Sequence, residues 1–280
     1  MRNSINIFLV LITMPLIGLS QIWDIGVWGG ISNYQGEINP DFNMKFVKPA
    51  YGALIRYNFN PIISVRGNFS KGSIGANDSE FKGWQQQRNL SFQSKITELS
   101  GLFEFNFKPF ITGDPKYNFT TYLFTGFSVF SFKPQTTYNG SITNLQAFGT
   151  EGQGSEYYPQ RNKYFLYNFA IPIGGGMKVS LSNHLSFALE IGARRTFTDY
   201  LDDVSTTYPN SELIGQKADG STTNGLSNQS LQANSSNDVS DHQRGNSKDK
   251  DWYMFGGAVL AYNFKFGKCG KAFHEGYKWD

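Results

Sequence analysis

The sequence predicts an all-β fold: a transmembrane antiparallel up-and-down β-barrel of eight strands, with long extracellular loops and short periplasmic turns. Three observations predict it. Stretches of about ten residues alternate apolar with small or polar side chains at period two. Charged side chains within those stretches fall on the polar parity. Short and long connections alternate strictly along the chain, as they do in outer-membrane barrels.

The chain has 280 residues, and its beginning stands apart. Arg2 gives a basic start, Ile5 to Ile17 an apolar core, and Gly18-Leu19-Ser20 a small-x-small site. Residues 1–20 therefore read as a secretory signal peptide, too short to span a membrane as a helix. The barrel is expected over 21–266 and a periplasmic tail over 267–280. After Ser20 no apolar run reaches the ~20 residues of a membrane helix. Aromatic residues nonetheless make up 16% of the chain, so its apolar side chains must be spread along strands. The net charge of +3 gives no argument for a nucleic-acid partner. Cys269 is the single cysteine, which excludes an internal disulfide and reads as a passive thiol.

In the first strand Trp23, Ile25, Val27 and Ile31 alternate with Asp24, Gly26, Trp28 and Gly30. In the second, Tyr51, Ala53, Ile55, Tyr57 and Phe59 alternate with Gly52, Leu54, Arg56 and Asn58. Ile63, Val65 and Phe69 mark the third, and Leu99, Phe103, Phe105 and Phe107 the fourth. The fifth, Phe119 to Phe132, is apolar on both parities, so its outward face is not assigned. The sixth carries Tyr167, Phe169, Ile171, Ile173, Met177 and Val179 on one parity; the seventh carries Leu185, Phe187, Leu189 and Ile191. The eighth runs from Trp252 through Met254, Leu260, Tyr262 and Phe264 to Phe266.

Asn60-Pro61, the link around Pro109 to Lys116, and Ser182-Asn183-His184 are short connections. Those at about 32–48, 71–91, 133–164 and 196–250 are long. This sorting puts both termini in the periplasm. Within the last loop, 210–250 is rich in Ser, Asn, Gly, Asp and Gln, and is expected to be mobile because it cannot offset its own ordering entropy.

Arg56, Arg66, Glu98, Glu104, Lys178, Glu190, Arg194 and Lys265 all lie on the polar parity and are expected to point into the lumen. Facing lipid, each would cost roughly 2–4 kcal/mol at mid-depth. Eight strands enclose an interior just wide enough to be filled by side chains, so neither a porin nor a conduit is expected.

No enzyme chemistry is expected. His184, His242 and His274 fall in separate parts of the topology, which gives no metal or Ser-His-Asp constellation. Asp199, Asp202 and Asp203 lack the spacing of a Ca²⁺ loop and read as solvated. Gly174-Gly175-Gly176 has no following helix or Lys-Ser/Thr, so it is read as strand glycines beside bulky neighbours rather than a phosphate loop. No cofactor is expected.

Several segments resemble the PorG family, outer-membrane components of the type IX secretion system of Bacteroidetes. Gly29 to Pro40, with its Tyr34-Gln35-Gly36-Glu37 core, is similar to the family's G-x-x-x-Y-x-G-D-L-N-P opening, with Glu37-Ile38 replacing Asp-Leu. Arg88-Asn89-Leu90-Ser91-Phe92 and Leu145 to Gly154, which includes Gly149, Glu151 and Gly152, look like its loop motifs. The most specific match is Thr196-Phe197-Thr198-Asp199-Tyr200-Leu201-Asp202-Asp203-Val204-Ser205-Thr206-Thr207-Tyr208. The resemblance implies a non-enzymatic subunit in outer-membrane lipid, associated with a periplasmic ring of a PorK-type lipoprotein and a PorN-type protein. Contact with that ring would fall to the periplasmic turns and the tail, with Lys268, Cys269, Lys271, Phe273, Tyr277 and Trp279. Tyr34, Gly36, Asp199 and Tyr200 suit either of two roles: satisfying loop backbone at the rim, or binding a partner. A free-standing small barrel of the OmpA or OmpX type, an adhesin or envelope stabiliser, is the alternative.

Overall fold

The computed structural model describes residues 22–41, 43–210, 213, 223–230 and 239–265. Ten strands follow in order: β1 (Ile22–Gln35), β2 (Lys48–Asn58), β3 (Ile63–Asn77), β4 (Ser91–Asn106), β5 (Phe119–Ser131), β6 (Pro134–Tyr138), β7 (Ser141–Asn144), β8 (Tyr167–Ser180), β9 (Leu185–Thr196) and β10 (Trp252–Lys265). β1 to β5 and β8 to β10 pair antiparallel with their neighbours in chain order, and β1 pairs with β10 to close the sheet. The result is an eight-stranded closed barrel. β6 and β7, which the sequence did not announce, form a hairpin on the end of β4 through Gln93↔Gln135 and Ser94↔Pro134.

Parity decides which face each residue takes. Ile25, Val27, Ile55, Phe69, Leu99, Phe103, Ile173, Leu189, Ile191 and Leu260 are exposed on the outer wall. β5 resolves the same way: Phe119, Leu123, Phe127 and Val129 point outward, whereas Tyr122, Phe124, Phe130 and, just past its end, Phe132 are buried. An exposed apolar face continuous over all eight strands is what a barrel offers to lipid, so the fold is of the transmembrane type. The eight barrel strands have 11 to 16 residues, enough for the ~9–11 of a tilted crossing. β3 and β4 stay paired out to Asn77↔Ser91 at the long-loop end.

Charges and large rings fill the interior. Glu104 sits among three cations, 3.0 Å from Arg56 Nε, 3.1 Å from Arg66 Nε and 3.3 Å from Lys178 Nζ. Arg56 also meets Asp24 at 3.1 Å and Arg66 meets Glu190 at 2.8 Å. Tyr122 Oη donates to Glu190 at 2.7 Å. Nearer the loops, Arg194 Nε lies 3.1 Å from Glu98, which also accepts from Tyr253 Oη at 2.6 Å. Seven of the eight expected lumen charges therefore lie inside the barrel; the eighth, Lys265, pairs through its backbone with Ile22, and its side chain is outside the described set. Small inward residues make room for the rings: a Cβ at Gly192 would lie 2.7 Å from Phe124 Cζ. Of the three strand glycines expected beside bulky neighbours, Gly174 likewise faces Phe124, whereas Gly175 lies against Leu123.

Candidate functional site

Over the long-loop end of the barrel the connections fold into a cap. The strands deliver Tyr34 at the end of β1, Asp251 just before β10 and the Thr198–Val204 segment just after β9. Tyr34 Oη lies 2.6 Å from Asp202 Oδ2 and 2.9 Å from Asp251 Oδ1. A phenol has one proton, so both contacts can be hydrogen bonds only if one of the two carboxyls carries a second. Backbone N–H groups hold the other oxygens: Leu201 donates to Asp251 Oδ2 and Val204 to Asp202 Oδ1, both at 2.9 Å. Glu37 completes the group, accepting from Asn246 N at 3.2 Å. The carboxylate oxygens of Glu37, Asp202 and Asp251 lie within 4.8 Å of one another, and none of them forms an ion pair among the described residues. This hard-oxygen donor set has the spacing of a cation site, and it equally suits shared protons.

Gly36 explains the Tyr-x-Gly pattern. Positions 34 and 36 share one face of the chain, and a Cβ at 36 would stand 2.5 Å from Tyr34 Cζ and overlap the Asp251 carboxylate. Only glycine lets the phenol lie there.

Two arginines tie the loops around this group. Arg88 grips Asp78 with Nε at 2.6 Å and Nη2 at 2.8 Å, and donates to the backbone oxygens of Glu37 and Arg244. Asn89 donates to the Gln229 carbonyl at 3.1 Å. Arg244 pairs with Glu151 at 3.0 Å and donates to the Asp203 carbonyl. Glu151 accepts from Ser205 N, Thr206 N and Thr206 Oγ1. Its turn is closed by Gly152 N donating to Gly149 O at 2.8 Å. Asp203 accepts from Thr150 Oγ1 and from Tyr164 Oη, whose ring stacks on Tyr200 at 4.5 Å. Thr198 donates its N–H to Thr196 Oγ1, and Asp199 accepts from Ser205 Oγ at 2.7 Å.

Burial sets the electrostatics. It pushes the Asp202 carboxyl up, and it raises Glu37 and Asp251 together with the negative charge of their neighbours. Burial takes Asp199 to about 7, and Asp203 to about 7 despite Arg244 beside it. Protons are therefore held in the cap well above the ordinary carboxylate range.

The structure brings Tyr34, Gly36, Glu37, Arg88, Asn89, Gly149, Glu151, Gly152, Thr198, Asp199, Tyr200, Asp202 and Asp203 into one cap. Phe197 is the exception and points outward, 58% exposed. Two expectations are corrected. Asp199, Asp202 and Asp203 are buried rather than solvated, because loop N–H and hydroxyl groups replace water around them. Part of 210–250, expected as a mobile loop, supplies buried Leu226, Ser227 and Arg244, because Arg244 is the countercharge of Glu151 and Asp203. Residues 211, 212, 214–222 and 231–238 of that stretch, and Lys268, Cys269, Lys271, Phe273, Tyr277 and Trp279, lie outside the described residues. Asp251, Arg244 and Asp78 were not anticipated. The lone Arg244 within a Ser/Asn/Gly tract was the one signal available for them. Among the histidines, His184 stacks on Tyr262 at the short-turn end and His242 lies in the cap loop.

Fold and cap together define an eight-stranded barrel of the transmembrane type with a charged, internally bonded lid of loops. The chain belongs to the family described as a domain of unknown function, DUF6089, whose model matches residues 2–217. No curated protein matches it. Similar solved structures include Ail, the attachment invasion locus protein of Yersinia pestis, at 10% identity, covering 88% of this chain and 100% of that one, TM-score 0.40. Neisserial surface protein A is similar at 8% identity, with 87% and 96% covered and a TM-score of 0.39. The outer membrane protein OprG from Pseudomonas aeruginosa is similar at 12% identity, with 87% and 95% covered and a TM-score of 0.39.

Proposed function

We propose that the protein is a non-enzymatic outer-membrane subunit of the type IX secretion system, associating with a periplasmic ring of PorK-type and PorN-type proteins. The observation that supports this reading is the convergence of the PorG-like segments. Tyr34-Gln35-Gly36-Glu37, Arg88-Asn89, Gly149 to Gly152 and Thr198 to Asp203 are far apart in sequence, yet they pack on one another. The resemblance thus follows one folded unit rather than scattered residues. Under this reading an export signal occupies 1–20, both termini are periplasmic, and the short turns with the 267–280 tail meet the ring.

The test is affinity purification of the full chain from outer membranes in mild detergent after crosslinking, with and without residues 267–280. Recovery of a ring lipoprotein and its partner, weakened by the truncation, is expected. A barrel repeatedly recovered alone would remove the secretion role. One observation favours a second reading, a free-standing small barrel that works through its loops: the elaborate packing of the described residues lies at the long-loop end, while the opposite end carries short turns. A lone barrel with a functional cap would establish that reading instead.

A further inference from the structure

On the outer wall at the long-loop end, Trp252 of β10 stands across from Arg195 of β9. Ala193 and Met254 lie one step further down on the same outward parity, which continues through exposed Ile191 and Leu260 toward the middle of the belt. Above them the loop carrying Lys248 and Lys250 and the short helix carrying Trp84 overhang the wall. Wall and overhang line an open cavity of about 1050 Å³.

Its chemistry is two-sided. The lower part is apolar and continuous with the surface offered to lipid. The upper part carries Arg195, Lys248 and Lys250, and none of these cations forms an ion pair with a carboxylate among the described residues. Lys250 Nζ donates to the Ser247 carbonyl at 2.8 Å, and its charge also acts on the Asp199 carboxyl of the cap. The two other arginines lining the cavity are already committed, Arg88 to Asp78 and Arg244 to Glu151. Of the acids in the lining, Asp249 is held by Asn246 Nδ2 at 2.6 Å and Glu37 belongs to the buried carboxyl group of the cap.

The rest of the wall agrees in sign. Among the described strand residues, the outward-pointing charged side chains are Lys71, Lys95 and Arg195, all basic, and all toward the long-loop ends of their strands. An outward charge is cheap only near the membrane interface, so these cations mark the headgroup level on that side.

We propose that this cavity is a binding site for a phosphorylated membrane lipid. Its acyl chains would lie along Ala193 and Met254, Trp252 would sit at the interface, and its phosphate would be met by Arg195, Lys248 and Lys250. The volume suits a headgroup with attached chains rather than a single ion. Interfacial Trp and clustered cations are the two groups that hold an anionic lipid at a protein surface. The site rests on the transmembrane placement of the belt and is independent of any secretion role.

The test uses the full chain reconstituted in phosphatidylcholine nanodiscs. The probes are diphosphorylated lipid A, its dephosphorylated form and inorganic phosphate, with retained ligand read by native mass spectrometry. Lipid A is expected to be retained, and its dephosphorylated form to be held more weakly. Arg195→Gln is expected to weaken retention about fivefold, and Lys248→Gln with Lys250→Gln further, since each cation near an anionic surface is worth that order. Lys71→Gln with Lys95→Gln, on β3 and β4 and outside the cavity lining, is expected to leave retention unchanged. Heat-modifiable mobility on gels reports that each variant is folded. Equal retention by the Arg195 and Lys248/Lys250 variants would overturn the site. So would an equal loss in the Lys71/Lys95 variant, which reports only general attraction to the membrane. Retention of inorganic phosphate without lipid would assign a free-anion site instead.

Discussion

Tyr34 and Asp202, 168 positions apart in the chain, meet at 2.6 Å over the mouth of the barrel, and Asp251 shares the same hydroxyl at 2.9 Å. One phenol thus links the end of the first strand, the loop after β9 and the entry to the last strand. Tyr34→Phe is expected to destabilise the cap by about 1–3 kcal/mol, because two buried carboxyls lose their common partner. Gly36→Ala is expected to act through the same contact, forcing the ring away from Asp251. Hydrogen exchange at residues 34–39 and 199–206 should rise in both variants while the central strands stay protected. Unchanged protection would mean the shared hydroxyl contributes nothing.

The pH dependence of the cap has a definite sign. Asp199 and Asp203 have folded pKa values raised from 3.8 to about 7, so the folded cap holds protons that the opened chain releases. Their contribution to stability is complete below about pH 4 and is lost as pH rises through about 7. Protection of the cap loops, corrected for intrinsic exchange, should therefore be greater at pH 5 than at pH 8. The opposite trend would show these carboxyls ionised in the folded protein.

Glu104 is shared by Arg56, Arg66 and Lys178, with Asp24 and Glu190 supplying the remaining countercharge. Glu104→Ala leaves buried Lys178 without a carboxylate and Arg56 and Arg66 with only Asp24 and Glu190, and is expected to cost about 3–5 kcal/mol. Urea unfolding in lipid vesicles measures it. Glu104→Gln should lie between that variant and the native chain, since its amide oxygen can still accept.

Arg244 anchors its loop to Glu151 and to the Asp203 carbonyl. Arg244→Ala is expected to free 239–250 for limited proteolysis without altering the heat-modifiable shift of the barrel. A barrel that no longer folds would place Arg244 in the assembly of the whole molecule instead.

The barrel was legible because lipid enforces a rule at every residue. Arg56, Arg66, Glu104 and Glu190 could lie only on the inward parity, and the outward Phe, Ile and Leu followed. β5 escaped that rule. Its inner face carries Tyr122, Phe124 and Phe130, so both parities are apolar and only the pairing with β4 and β8 orients it. β6 and β7 are short and polar, with no apolar parity to announce them. The cap was half legible. The family-like motifs marked most of its members, but Asp251 and Arg244 carry no local pattern. Their roles arise from contacts spanning up to 217 residues.

The pairing of β1 with β10 along its whole length, from Ile22↔Lys265 to Gln35↔Trp252, has a consequence for biogenesis. The first strand made is the last to find a permanent neighbour on one side. Until the final strand arrives, β1 and β9 both present unpaired backbone edges that neither lipid nor water-poor headgroups can satisfy. Closure of the sheet therefore waits on β10. Any truncation short of residue 252 would leave an assembly intermediate rather than a smaller barrel.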